Sequence, residues 1–186
     1  MTAMTNAPTA TLFNDETLRT AAKLADNSYQ PLWIGPSGEE STGEEVARHL
    51  EATSALLDKD GWIRAYNYSR SAGADLADDD SMSVKDMLRM LLRFIREESD
   101  TDPQRPLFTA LRHVGEVGEA GDTDTASVAG HVLDHVIQAH TGTESARATS
   151  WSERQHRTHA DITALLRASA RFARTYGPAD TTGRAA

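Results

Sequence analysis

The chain has no cysteine among its 186 residues. That excludes disulfides, iron–sulfur clusters and thiolate zinc sites together. It is compatible with a cytoplasmic protein. No apolar run approaches the roughly 20 residues that cross a bilayer. Residues 1–13 have neither the basic start nor the apolar stretch of a secretory signal. The local signals of catalysis are missing as well. There is no Gly-x-Ser-x-Gly elbow for a serine nucleophile and no phosphate loop ending in Lys-Ser or Lys-Thr. No dinucleotide fingerprint follows a strand, and no His-Glu-x-x-His is present. Net charge is −9, so a chain-wide nucleic-acid surface lacks the cations it needs.

The charge that is present is unevenly spread. Residues 147–186 hold seven Arg against three acids, a balance of +4. Residues 1–146 hold 12 Lys and Arg against 25 Asp and Glu, a balance of −13. Such a chain can dock on itself, on a second copy or on an acidic partner.

Helical signals dominate. Asn14 suits the N-cap of a helix over Asp15 to Asp26. Thr42-Gly43-Glu44-Glu45 reads as a capping box, opening a helix that carries Val46, Leu50 and Leu57 and stops at Gly61. Between them, Leu32-Trp33-Ile34 is too apolar to remain in solvent. Residues 62–68 alternate like a short strand. Trp33, Trp62, Tyr66 and Tyr68 read as an aromatic wedge closing the core, or as a stacking platform. Asp78-Asp79-Asp80 lacks the spacing of a calcium loop and suits the start of a third helix after Ser83, with Val84, Met87, Leu88, Leu91, Leu92 and Ile95 buried. Pro106 opens a fourth helix to Val117. A fifth, Thr125 to Thr141, is apolar on two sides and therefore central. A turn from Trp151 precedes the last helix, His159 to Tyr176. The expected fold is a single all-α bundle of five to six helices, with one short strand-like segment near 62–68. Residues 1–13 are expected as a disordered lead, 14–176 as the helical domain and 177–186 as a disordered tail.

Three groups of residues bear on function. Arg167, Arg171 and Arg174 fall at i, i+4, i+7 on the last helix, away from its Ile/Leu/Phe face. If free, they would capture acidic protein surface or a second copy, with 39–45 and 75–80 as acidic patches in the same chain. His131 and His135 share a helical face beside Asp134, which is the zinc alternative; a catalytic site needs a third ligand and an open position. Arg154, Arg157, His156 and His159 crowd the start of the last helix. They are the nucleic-acid alternative, although the 142–150 connection is too long for a helix-turn-helix.

Two stretches carry a resemblance. Leu56-Leu57-Asp58-Lys59-Asp60-Gly61-Trp62 ends a capped helix, and Trp151-Ser152-Glu153-Arg154-Gln155-His156-Arg157-Thr158 leads into another. Together they resemble a family of small uncharacterised actinobacterial proteins, also found on phages and plasmids. The resemblance spans about residues 44–176 and implies no activity or cofactor. Trp62, Trp151, Arg157 and Thr158 are the matching positions; the tryptophans suit core anchors and Thr158 an N-cap. The leading expectation is a non-enzymatic accessory or regulatory protein. It acts by protein–protein contact of the Arg-striped helix, in the cytoplasm, without a cofactor and without a membrane or nucleic-acid partner.

Overall fold

Among the described residues six helices have both ends placed, and a further helical stretch follows Ser83. The computed structural model describes residues 12–66, 83–86, 88–89 and 103–179. Helix α1 is Asp15–Asp26, with the Asn14 side chain accepting from the Thr17 N–H. Helix α2 is Gly43–Asp60, and its capping box is complete: Thr42 accepts from the Glu45 N–H, and Glu45 accepts from the Thr42 N–H. Helix α3, Leu107–Val117, follows Pro106. Helix α4, Thr123–Thr141, begins two residues earlier than its sequence pattern suggests, because Asp122 caps it through the Thr125 N–H. Helix α5 is Ala148–Ser152, and α6 is His159–Tyr176.

The bundle is built around α4 and α6. Val128, Val132, Leu133, Val136 and Ile137 are fully buried, so both apolar sides of α4 find partners. Ile162, Leu165, Leu166 and Phe172 bury the inner face of α6. This packing dominates stability, at about 25 cal/mol per Å² of apolar surface removed from water.

Helices α2 and α6 run antiparallel and close. Gly43 begins α2 against the end of α6, where its N–H donates to the Pro178 carbonyl at 2.9 Å. A Cβ at Gly43 would stand 2.2 Å from the Ala173 carbonyl oxygen, and one at Gly177 2.5 Å from the Gly43 Cα. Two residues without side chains let the backbones touch. At the other end, Asp58 meets His159.

Several sequence expectations change. Phe13, expected within the lead, is buried against the His140 and Trp151 rings, and residues 1–11 lie outside the described residues. Among the described residues of the 62–68 segment there is one bridge, Trp62 to Arg105, and no strand ladder. In Leu32-Trp33-Ile34, Leu32 is buried and Ile34 forms a bridge with Glu40. Trp33 stacks on Phe172 with centroids 6.1 Å apart, and Tyr66 is exposed. Val84 and Leu88, expected to be buried, are 81% and 58% exposed. Met87, Leu91, Leu92, Ile95, Tyr68 and Asp78 to Asp80 lie outside the described residues. Among the described residues no helix is long and apolar enough to cross a membrane.

Candidate functional site

The arginine stripe is a seam inside the molecule. The Arg174 guanidinium donates from Nε to Glu44 at 2.9 Å and from Nη2 to Glu51 at 2.9 Å. It therefore clamps two turns of α2 to the end of α6. Both carboxyls are held below their ordinary range by its hydrogen bonds, and the Arg174 cation is stabilised in turn. Arg171 reaches the other way, to Asp15 at the start of α1, at 3.1 Å. Glu44, Glu51 and Asp58 recur every seven residues along α2, and Asp58 faces His159 at 3.3 Å. The expectation of three free guanidinium groups is thus corrected for Arg171 and Arg174. Their carboxylate partners are intramolecular, supplied by the two helices flanking α6. Arg167 has no ion pair among the described residues and lines a notch of about 260 Å³ with Glu51, Ser54 and Asp58.

The start of α6 is likewise taken up internally. Thr158 accepts from the Asp161 N–H, and Asp161 accepts from the Thr158 N–H. A carboxylate therefore already occupies the positive end of the helix dipole, where a phosphate would sit. Arg157 stacks 3.8 Å over the Trp151 ring. Burial lowers the Arg157 pKa from its usual range. Trp151 is buried and Trp62 half-buried, as core anchors should be. Arg154 and His156 are exposed and without an ion pair among the described residues.

Where α4 passes the end of α1, the surface opens into a groove of about 450 Å³. One wall is α1 and the segment after it, through Leu24, Asn27, Ser28, Gln30, Pro31 and Leu32. The other is α4 and the segment after it, through His131, Asp134, His135, Gln138, Glu144 and Arg147. The structure therefore does bring His131, Asp134 and His135 to one place. It does not point them at one atom. The Asp134 Oδ1 accepts from the Ala148 N–H at 2.7 Å, and its Oδ2 lies 3.5 Å from the Arg147 Nε. Burial pushes that carboxyl above its ordinary range, while the Ala148 N–H and Arg147 pull it back. The His135 Nδ1 donates to the His131 carbonyl at 2.9 Å, leaving Nε2 as the atom the groove sees. Among the described residues no group of three or more His, Asp or Glu is arranged to hold a metal ion.

The Asp134 carboxylate is taken up by a backbone N–H and an arginine, and the His135 ring is oriented instead by the His131 carbonyl. Glu144 and Arg147 escaped the sequence reading because they join the histidines only through the turn after Gly142, whereas Gln138 lies on the same helix, two turns after His131.

A further imidazole is sealed inside. His49 is fully buried, with Nδ1 2.9 Å from the Ala120 carbonyl and Nε2 3.0 Å from the Leu111 carbonyl. It ties α2 to the α3–α4 corner. A neutral ring can donate to only one of the two. Burial lowers its pKa, and the two carbonyls oppose that.

Residues 41–172 match the model of a family of unknown function (DUF6197). No curated protein and no solved structure matches the chain.

Proposed function

The chain belongs to that family, DUF6197, and from this premise we propose a non-enzymatic accessory protein that works by protein–protein contact through the α1–α4 groove. One observation carries the reading. The groove gathers apolar side chains, side-chain amides and two imidazoles in a single open hollow between α1 and α4. Specific recognition sites have that composition: apolar area for affinity and a few polar groups for orientation. The arginine stripe, which called for an acidic partner, is engaged within the chain at two of its three positions. It therefore supports the fold, and the groove takes over as the contact surface. The reading places the protein in the cytoplasm, and the scarcity of Lys against Arg supports a high-GC actinobacterial, phage or plasmid source.

A photo-crosslinking residue at Gln30, on the groove rim, tests this in cells against one at Glu116 on α3. A protein crosslinked from Gln30 alone is then purified and titrated. Weakened binding by Gln138→Ala supports the reading. Equal crosslinking from both positions, or a Gln138→Ala variant that binds as the parent does, rejects it.

A further inference from the structure

The groove's charges say what kind of segment it takes. Its titratable lining is His131, Asp134, His135, Glu144 and Arg147, all from α4 and the segment after it; the facing wall contributes only Asn27, Ser28 and Gln30 as polar groups. Arg147 is matched by Asp134 at 3.5 Å. Glu144 is exposed and has no ion pair among the described residues. Apart from the imidazoles, the lining therefore carries one positive and two negative charges. The surplus carboxylate is Glu144, in a chain of net charge −9 that steers cations toward it. Leu24, Pro31 and Leu32 supply an apolar floor, and the Gln30 side chain can meet a peptide backbone, while the Asn27 and Gln138 amides donate to the Lys23 and Ala146 carbonyls and keep their oxygens as acceptors.

We propose that the groove binds a short cationic peptide segment, with an apolar side chain on the Leu24–Leu32 floor and a neighbouring Lys or Arg against Glu144. This inference rests on the groove being the contact surface.

The probe is a fluorescein-labelled peptide of Gly and Ser carrying a Leu flanked by Lys and Arg, compared with the same peptide bearing Glu at the cationic positions. Anisotropy is read with the full chain, with circular dichroism confirming the fold of each variant. The cationic peptide should bind. Glu144→Gln should weaken it about threefold to tenfold, and Glu39→Gln with Glu40→Gln should not. Preference for the Glu peptide, with Gln138→Ala still weakening it, would overturn the cationic assignment and leave the groove as the contact surface. A cationic peptide whose binding ignores Glu144 would overturn the proposal too. If neither peptide binds, the cationic assignment falls, and if crosslinking from Gln30 also fails, the groove reading falls with it.

Discussion

Replacing Gly43 by Ala adds one carbon where α2 meets the end of α6. Its Cβ would lie 2.2 Å from the Ala173 carbonyl oxygen and 3.0 Å from the Gly177 Cα. Both neighbours are backbone, so neither can swing aside. The start of α2 must retreat by roughly 1 Å, and forcing such overpacking costs about 1–3 kcal/mol. The retreat also stretches the Gly43 N–H bond to Pro178, worth about 0.5–1.5 kcal/mol. Higher helix propensity returns at most about 1 kcal/mol. The net expectation is a loss of about 1–4 kcal/mol. Gly130→Ala is the matched control. Its Cβ would make van der Waals contact with Phe108 at 3.4 Å, inside α4. That substitution should stabilise by about 0.5–1 kcal/mol. Urea unfolding followed by far-ultraviolet circular dichroism reads both, with an unchanged slope marking a change in stability alone. A Gly43→Ala variant as stable as the parent would refute the close antiparallel contact of α2 and α6.

The buried imidazole and the arginine clamp give further tests. His49→Leu removes the donor to the Leu111 and Ala120 carbonyls and should cost about 1–3 kcal/mol at neutral pH. Its folded pKa lies below the unfolded value of 6.5, so the unfolded chain binds more protons and stability falls as the pH drops below 6.5. The variant should lose part of that slope, and an identical slope would contradict the burial argument. Arg174→Gln should lower the urea midpoint and let the Glu44 and Glu51 carboxyls titrate higher by NMR. Their folded pKa values are depressed by Arg174, so the clamp stabilises above the unfolded carboxylate range and is lost as the pH falls through the folded values. Unmoved Glu44 and Glu51 titrations would remove the clamp from the account.

Local chemistry made most helix ends legible in advance. Asn14, the Thr42 box and the Thr158 box satisfy orphan N–H groups within their own segments. Elements fixed by distant partners were harder to read. Helix α5 starts at Ala148 because the Asp134 carboxylate accepts its N–H from another helix. Trp62 pairs with Arg105, far along the chain, so its alternating neighbours suggested more strand than forms. The arginines of α6 looked solvent-facing because one helix shows only its own angles. Arg174 finds Glu44 and Glu51, two turns apart on α2, and Arg171 finds Asp15 on α1, neither of which the spacing within α6 could show. The histidines of the groove were legible as a pair, whereas the opposite wall belongs to α1 and could not be placed beside them from sequence.

We propose the groove, not the arginine stripe, as the working surface. Affinity for the cationic peptide compares the two in one titration series. Arg167→Glu with Arg171→Glu leaves the Arg174 clamp intact and should change affinity for the cationic peptide by less than about twofold, while Glu144→Gln should weaken it about threefold or more. Binding that collapses in the arginine variant and persists without the Glu144 charge would contradict it.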